Sequence, residues 1–494
     1  MGQVKRDSII NTIITYLGIG LGYLNKGLLF PILLLPEQVG LVNVIMLLAG
    51  FFAQFSNLGT GMILLRFLPF LRDEKYGYSG VLHFTVTLLF GGILVMSLIL
   101  IVGNDWILSY FEDNSPALRE YWFWILPAGI AGAFYILFEA YLRGISKNII
   151  SVFFQDFVLR ILVFATIIGF WLDWYSFDTF IIAFFCAHFV PAIALVIYLI
   201  YIGQFFVQRK YLIIRRRMRR MMLSYGAFVY FNAFGRNIIL MADATMLAAI
   251  SGLETVAVFT IMVFLSNAIF VPYVSLLRIS APFVPKYWKE RNMIKMKSMY
   301  TRVTSIGFFV TFLLFSIVWL NIDYLLTYLP DVYATGKYMF LFLMIGRLFD
   351  SIGGINGDIL LTSKKYKWEV YITIPLIVLT ITLNYFLIPN YGGIGAAVAT
   401  CMVYFCYNVI RLLINHFTFN LQPFTWSFVL MVLMGTGMLT IGIFIPSLEN
   451  PLLNIMLMTA IPLLLFMTPV LGLKLVPEVN GFLGQVLRRI VPDK

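Results

Sequence analysis

The sequence predicts an all-α integral membrane protein, and three observations carry that prediction. The first is composition: the 494-residue chain is 61% hydrophobic and 12% charged, with a mean hydropathy of +0.92. Soluble domains are roughly 45–50% apolar and about 25% charged, and a soluble fold of this size could not cover so much apolar surface. The second is a series of long apolar runs, and the third is the distribution of Lys and Arg between them.

Fourteen apolar runs are long enough to span a bilayer, which takes about 20 residues of helix. The predicted spans lie near 8–31, 40–63, 80–103, 120–142, 150–171, 179–202, 222–248, 255–278, 299–320, 335–361, 368–388, 394–415, 424–446 and 452–473. The first run continues past Phe30 without a small-residue cleavage site, so we interpret it as a retained helix and not a signal peptide. The separators are short and polar, and strand-like alternation is absent.

The basic residues predict the orientation. The formal charge is +12, and of the 35 Lys and Arg residues 29 fall in segments of one side, two (Arg119 and Lys337) on the other, and four within spans. Because cytoplasmic loops are enriched in Lys and Arg, both termini are predicted to be cytoplasmic. The basic run at 215–220 is interpreted as a juxtamembrane cluster that faces anionic headgroups, so no nucleic-acid partner is expected.

An internal repeat divides the spans into groups. Shifting the chain by 217 residues superposes four turns; for example, Asn104 falls on Asn321 and Trp174 on Tyr391. We therefore predict an N-terminal six-helix bundle (1–205), a basic cytoplasmic linker (206–221), a C-terminal six-helix bundle (222–417), and two appended helices with a cytoplasmic tail (418–494). Both bundles would insert the same way up, as in transporters with a parallel pseudo-twofold repeat, and would rock about a central cavity.

Ionisable residues inside spans are costly and are functional candidates by default. Four basic residues lie within spans, and Arg66 lies at the inner end of span two: the predicted cationic cavity consists of Lys26, Arg66, Arg160, Arg236 and Arg347. Arg holds phosphate bidentately, so such a cavity would suit an anionic cargo. The alternative is that these side chains only join helices.

The acidic residues within the spans are interpreted as partners of basic residues or as sites of ion coupling. Asp156 lies four residues before Arg160, and Asp350 three after Arg347, and both spacings allow intrahelical pairing. Lys26 and Asp243 are 217 residues apart, so the repeat places them at matching depths, where they are predicted to pair and close an outer gate. Asp156, Asp243 and Asp350 are also the candidates for ion coupling. Glu139, four residues before Arg143, is expected to pair near the cytoplasmic face.

Signals of enzymatic chemistry are weak. The three histidines are scattered and form neither a metal site nor a triad, and His188 is interpreted as a packed or hydrogen-bonded residue of span six. No Walker motif is present. Gly18, Gly20 and Gly22 lie within a span, where small residues permit close helix packing. We therefore expect no enzyme activity, no cofactor and no metal site.

Three segments carry a family resemblance. They are Ile10-Asn11-Thr12 with the later Pro36-Glu37-Gln38-Val39-Gly40, Arg66 with Pro69, and the segment from Tyr391 to Thr400. With the six-plus-six-plus-two order, the chain resembles the polysaccharide flippases of the MOP superfamily, the Wzx-like O-antigen and exopolysaccharide exporters.

The resemblance implies a V-shaped, MOP-like transporter in the bacterial inner membrane. Its cargo would be an oligosaccharide on undecaprenyl pyrophosphate, as in lipopolysaccharide biosynthesis, moved with possible H⁺ or Na⁺ coupling. Three alternatives stay open: a peptidoglycan lipid-precursor flippase, a MATE-type ion-coupled drug antiporter, and, from a different class, a membrane glycosyltransferase or polymerase.

Overall fold

The computed structural model describes residues 13–68, 79–205, 214, 216–446, 448 and 450–481, without the side chains of residues 79, 228, 229, 231–237, 240 and 451. The start of the first span, the loop at 69–78, most of the basic linker and the end of the tail therefore lie outside the described residues. The described secondary structure is helical throughout. It forms two compact units, Met1–Thr260 and Ile261–Lys494.

Long apolar helices make up the first unit. They are α1 (Ile13–Leu33), α2 (Pro36–Ser56), α3 (Thr60–Phe67), α4 (Ser79–Val102), α5 (Asn104–Ser109), α6 (Ala117–Gly144), α7 (Ile149–Trp171), α8 (Phe177–Tyr201) and the first part of α9 (Arg216–Ser280). The buried centre of the unit joins α2, α3, α4, α6 and α8 through residues such as Phe52, Leu64, Leu89, Phe138 and Leu195.

The second unit continues from the last part of α9. Its helices are α10 (Phe283–Lys289), α11 (Met293–Leu320), α12 (Ile322–Leu326), α13 (Lys337–Gly353), α14 (Asn356–Thr362), α15 (Lys367–Phe419), α16 (Trp426–Phe444) and α17 (Leu452–Gly472). Phe308 and Phe312 on α11 pack with Phe428 of α16 and Phe466 of α17. The two helices expected to be appended to the second bundle are thus anchored on α11.

Twelve helices in the described part of the chain are long and apolar enough to cross a membrane, so the protein is a multi-pass membrane protein. Two of the twelve runs each contain one residue with non-helical backbone angles: Gly252 (φ 84°, ψ 170°) and Gly392 (φ 54°, ψ −131°). A positive φ suits glycine because it has no Cβ. These two breaks fall between predicted spans seven and eight and between predicted spans eleven and twelve.

The ends of several helices follow the 217-residue offset. Helix α2 begins at Pro36, and α9 resumes after its break at the equivalent Leu253. Helices α4 and α11 end at Val102 and Leu320, within one residue of the offset. The sequence positions from which the repeat was inferred therefore coincide with helix ends or helix breaks in the structure.

Candidate functional site

Glycines let α1 approach α7 closely. Gly18 is buried, and a Cβ at this position would overlap the backbone carbonyl of Asp156. One turn further, a Cβ on Gly22 would lie 3.4 Å from Nη1 of Arg160. Gly20, by contrast, has no heavy atom of another described element within 4 Å of its Cβ position. The prediction that small residues here serve helix packing therefore fits Gly18 and Gly22 and not Gly20.

Both helices are locally wound as π-helix near this crossing. The π-helical segments are Tyr23–Leu29 in α1 and Phe153–Val158 in α7. Such segments are rare and often mark functional sites, because the wider turn moves side chains out of α-helical register. Lys26 lies inside the first segment, Asp156 lies inside the second, and Arg160 follows it directly after Leu159.

Polar side chains join the two helices. Asn25, fully buried, donates from Nδ2 to the carbonyl oxygen of Arg160 at 2.8 Å. Thr15 donates from Oγ1 to Oδ2 of Asp156 at 3.4 Å. Within the described chain, Oδ1 of Asn25 and Nε of Arg160 are buried without a hydrogen-bond partner. Unsatisfied buried polar atoms are uncommon and call for an explanation.

Three basic side chains lie near this crossing. The Lys26 ammonium, the Arg160 guanidinium and the His188 ring of α8 lie close enough to interact electrostatically. Among the described residues, no carboxylate oxygen lies within 4 Å of Lys26 or Arg160, and neither cation donates a side-chain hydrogen bond. We call Asn25, Lys26, Arg160 and His188 the α1–α7–α8 site.

The intrahelical pair allowed between Asp156 and Arg160 does not form an ion pair within 4 Å in the described chain. The π-helical segment explains this, because it ends between the two residues and removes the i, i+4 register that α-helical pairing needs. Asp156 still interacts with Arg160 electrostatically from a longer distance. In contrast, the predicted pair of Glu139 and Arg143 is confirmed at 3.5 Å on an uninterrupted α-helix.

Arg347 is held in the second unit by neutral groups. It donates to the hydroxyl of Tyr404 at 3.0 Å and to Oδ1 of Asn267, and its guanidinium lies 4.9 Å from the ring centre of Phe270. Asp350 accepts instead from Nδ2 of Asn408 at 3.3 Å. The intrahelical pair allowed between Arg347 and Asp350 is therefore replaced by contacts with α9 and α15.

A buried ion pair in the second unit was not predicted from the sequence. Arg411 donates from Nε to Oε2 of Glu369 at 3.3 Å and also bonds Oε1 of that carboxylate. Tyr407 donates to the same carboxylate at 2.6 Å, and the guanidinium lies 3.6 Å from its ring centre. Forty-two residues separate the two charged partners, so no local pattern marks them as a pair.

The remaining predicted residues are dispersed. Arg66 is exposed and lies 4.1 Å from the ring centre of Tyr225, a cation–π contact. Asp243 is 8% exposed on α9. The Arg236 side chain lies outside the described residues. The structure thus brings Lys26 and Arg160 together, and the single cavity for all five basic residues stays a prediction.

Sequence reasoning missed two members of the site. Asn25 was overlooked although it neighbours Lys26, and His188 was interpreted only as a packed residue. The packing is present: the His188 ring lies 4.6 Å from the Phe184 ring, and Nδ1 is 2.8 Å from the Phe184 carbonyl oxygen. A histidine inside a span is nevertheless ionisable, and that signal was available.

The chemistry of the site favours an anion. Lys26 and Arg160 lie near each other, their side chains have no hydrogen-bond acceptor among the described residues, and Asp156 is more than 4 Å from Arg160. Phosphate oxygens would satisfy these donors, since Arg and Lys both bind phosphate through charge-assisted hydrogen bonds.

Comparison with family models identifies the family of the chain. The family model described as "Polysaccharide biosynthesis protein" matches residues 4–288, more than half of the chain, and the MatE family model matches residues 229–386. A search of proteins with curated function found no significant match.

Several solved structures have the same fold. Lipid II flippase MurJ in an inward closed conformation matches with a TM-score of 0.69 and 13% identity, over 93% of this chain and 97% of that chain. An inward-facing multidrug resistance MATE family transporter matches with a TM-score of 0.63 and 14% identity, over 82% and 94%. A MOP superfamily transporter from Pyrococcus furiosus matches with a TM-score of 0.55 and 15% identity, over 84% and 96%. The chain therefore belongs to the polysaccharide biosynthesis protein family, and it has the fold of solved MOP superfamily transporters, the fold that the resemblance implied.

Proposed function

We propose that the protein flips an oligosaccharide linked to undecaprenyl pyrophosphate across the bacterial inner membrane by alternating access. One observation carries the proposal: Lys26 and Arg160 lie together beside the α1–α7 crossing without a carboxylate within 4 Å in the described chain. The pyrophosphate would supply the missing acceptors. Membership in a polysaccharide biosynthesis family supports a glycan on the other end of the cargo.

The geometry suits a pyrophosphate better than a cationic drug. A desolvated cation would be repelled by the two basic side chains, whereas each phosphate oxygen can accept from them. Asn25 strengthens the site by fixing the backbone of Arg160, since its Nδ2 bonds that carbonyl oxygen at 2.8 Å. This argues against a MATE-type drug antiporter.

A lipid-precursor flippase is the second candidate, because the match to Lipid II flippase MurJ covers 93% of this chain. Both cargoes would carry a pyrophosphate, so the α1–α7–α8 site does not separate them. Their glycans differ, so the two candidate functions have to be distinguished by offering each cargo in a transport assay. A membrane glycosyltransferase or polymerase is the alternative from another class, and turnover of the glycan would reveal it.

The direct test uses purified protein in liposomes that contain one labelled lipid-linked glycan in the outer leaflet. We expect protein-dependent transfer of an oligosaccharide carrier lipid to the inner leaflet, detected as protection of the label from an added reagent. Preferential transfer of Lipid II would favour the second candidate. Transfer of neither cargo, or chemical change of the glycan without transfer, would contradict a flippase.

The proposed architecture has fourteen crossings arranged as two six-helix lobes (1–205 and 222–417) plus helices at 418–494. It requires Gly252 and Gly392 to be turns at the outer face, with both termini cytoplasmic. The non-helical backbone angles of Gly252 and Gly392, and the apolar runs on both sides of each glycine, support the two turns. Single cysteines replacing Glu254 and Tyr391 should react with a membrane-impermeant thiol reagent from outside, and one replacing Lys367 only from inside. The opposite sidedness would contradict the topology.

A further inference from the structure

A short break in the second unit separates α13 from α14. Helix α13 ends at Gly353 and α14 begins at Asn356, and Gly354 between them has φ 56° and ψ −129°. This backbone conformation is strained for any residue that has a Cβ. The Tyr273 hydroxyl lies 3.0 Å from the carbonyl oxygen of Asp350 and 3.1 Å from that of Gly354. Specific contacts therefore hold the α13–α14 break in place.

Three asparagine amides beside the break form one chain of hydrogen bonds. Nδ2 of Asn415 donates to the backbone carbonyl of Asn356 at 2.9 Å, and Nδ2 of Asn356 donates to Oδ1 of Asn408 at 3.0 Å. Nδ2 of Asn408 then donates to Oδ1 of Asp350 at 3.3 Å. Because a backbone carbonyl can only accept, the first of these bonds fixes the orientation of the Asn415 amide. Its Oδ1 is left as an acceptor.

Three buried oxygens near the break have no hydrogen-bond partner among the described residues. They are Oδ1 of Asn415 and the hydroxyls of Tyr300 and Thr304, one turn apart on α11, and all three residues are fully buried. A Cβ on Gly354 would lie 2.2 Å from Oγ1 of Thr304 and 3.3 Å from Cε2 of Tyr300. The Asn415 amide lies beside the Tyr300 hydroxyl without the geometry of a hydrogen bond. Such a group of unsatisfied oxygens indicates a bound species.

The charges around the break show which sign of ion it favours. Arg411 is paired with Glu369, so these two side chains are neutral together. Asp350 ends the asparagine chain, and Asp358 lies on α14, two residues after Asn356. In the described part of the chain, no Lys or Arg nitrogen lies within 4 Å of either of these two carboxylates. They would repel an anion and attract a cation.

The equivalent region of the first unit lacks this polarity. Under the 217-residue offset, Asp350 corresponds to Ala133 on α6. Asn408 corresponds to Pro191 on α8, which has no polar side chain. Helices of the same kind thus pack in the first unit without a carboxylate or an amide at these positions. The packing of the helices alone does not account for the polar residues of the second unit.

We infer that Tyr300, Thr304 and Asn415 bind a sodium ion beside the α13–α14 break. Hydroxyl and carbonyl oxygens are ligands that hard cations accept, and irregular backbone in a membrane helix is a common place for Na⁺. A divalent cation would normally take carboxylate oxygens as ligands, and none of the three oxygens belongs to a carboxylate. The inference concerns the second unit and does not depend on the cargo of the proposed function.

The experiment is thermal unfolding of the full-length protein in lipid nanodiscs, with Na⁺ replacing choline at constant ionic strength. An ion that binds only the folded state raises the melting temperature as its concentration rises. Tyr300→Phe and Thr304→Val each remove one hydroxyl and keep the shape of the side chain. Thr380→Val is the matched control, because Thr380 is also buried and donates to its own helix at the Leu376 carbonyl, 2.7 Å away. Binding of radioactive Na⁺ to the same four proteins measures the site directly.

We expect Na⁺ to raise the melting temperature of wild type and Thr380→Val in a saturable way. In Tyr300→Phe and Thr304→Val, the Na⁺ concentration for half of the shift should rise about tenfold or more, because a ligand oxygen is lost. A wild type without a saturable Na⁺ effect or Na⁺ binding would overturn the inference and leave water as the partner of the three oxygens. Equal Na⁺ dependence in all four proteins would also overturn it. Neither result bears on the proposed function, because no cargo is present.

Discussion

Nδ2 of Asn43 donates to Oγ1 of Thr260 at 3.2 Å, and the two residues are 217 positions apart in the chain. The contact joins α2 to the part of α9 that follows Gly252, at two positions that the 217-residue offset makes equivalent. It is independent of the four turns that suggested the repeat.

The Asn43–Thr260 hydrogen bond predicts an energetic coupling. In a double-mutant cycle with Asn43→Leu and Thr260→Val, we expect a coupling of about 1 kcal/mol, the usual net value of one hydrogen bond. Thermal or denaturant unfolding of the purified protein measures it. Thr245→Val paired with Asn43→Leu is the control, since Thr245 bonds its own helix through Met241. Equal coupling in both cycles would contradict a specific contact.

The glycines of α1 give a matched pair of substitutions. Gly18→Ala should destabilise the protein by about 1–3 kcal/mol, the usual cost of overpacking, because the added Cβ meets the carbonyl of Asp156. Gly20→Ala adds the same methyl group to a position with free space, and alanine is the better helix former by about 1 kcal/mol. It should be neutral or stabilising. Equal melting temperatures for the two variants would be inconsistent with the close crossing.

The proposed binding of a pyrophosphate at the α1–α7–α8 site predicts that loss of either cation lowers the transport rate. Lys26→Gln and Arg160→Gln should each lower transport of a pyrophosphate-linked cargo about ten- to a hundredfold, because a charge-assisted hydrogen bond contributes about 1.5–3 kcal/mol. Lys297→Gln, which removes an exposed lysine of α11, should leave transport unchanged. The liposome assay described above measures all three. Full activity of the Lys26→Gln protein would exclude that residue from the site.

The proposed outer gate of Lys26 and Asp243 has its own test. Single reversals, Lys26→Asp and Asp243→Lys, should each lower the melting temperature, and the double reversal should recover part of the loss, because the opposite charges are restored. Transport is not the readout, because any loss of Lys26 also removes a cation of the proposed anion site. A double reversal no more stable than the single variants would contradict the pair.

The buried pair of Glu369 and Arg411 is predicted to contribute to stability. Glu369→Leu alone leaves a buried guanidinium without its carboxylate, and such losses cost about 3–5 kcal/mol. Glu369→Leu with Arg411→Met removes both charges and should cost much less. Thermal unfolding compares the two proteins. A double variant less stable than Glu369→Leu would show that the contacts of Arg411 with Tyr407 outweigh the unpaired charge.

Much of the fold was predictable because each helix that crosses a bilayer needs about 20 mostly apolar residues. Helix length, basic loops and short separators depend on local composition, and they gave the helical class and most helix ends. The breaks at Gly252 and Gly392 fall at predicted boundaries between spans, but the sequence did not show that a single glycine would interrupt the helix at each boundary. The carbonyls of Ala133 and Asp350 are equivalent under the 217-residue offset, and each accepts a side-chain hydrogen bond. The donors are Asn57 (3.2 Å) and Tyr273 (3.0 Å), and Tyr273 lies one residue away from the position equivalent to Asn57.

The site was predictable only in part, because its partners are distant in sequence. Lys26 and Arg160 were identified because a charged side chain inside a membrane span has a high free-energy cost. This criterion applies to each residue separately and needs no knowledge of its neighbours. Lys26 and Arg160 lie near each other because α1 crosses α7 and because both helices contain π-helical segments. No residue pattern predicted these segments. The pairing of Asp156 with Arg160 failed for the same reason: i, i+4 spacing assumes α-helical winding.

The space beside Gly22 has a consequence for the selection of cargo. Nη1 of Arg160 lies 3.4 Å from the position that a Cβ at residue 22 would occupy, which is an ordinary van der Waals contact. A methyl group would therefore fit beside the guanidinium, whereas a longer side chain would require Arg160 to move. If the proposed anion binds to Arg160, the size of residue 22 would set the position of that positive charge without a contact between residue 22 and the cargo.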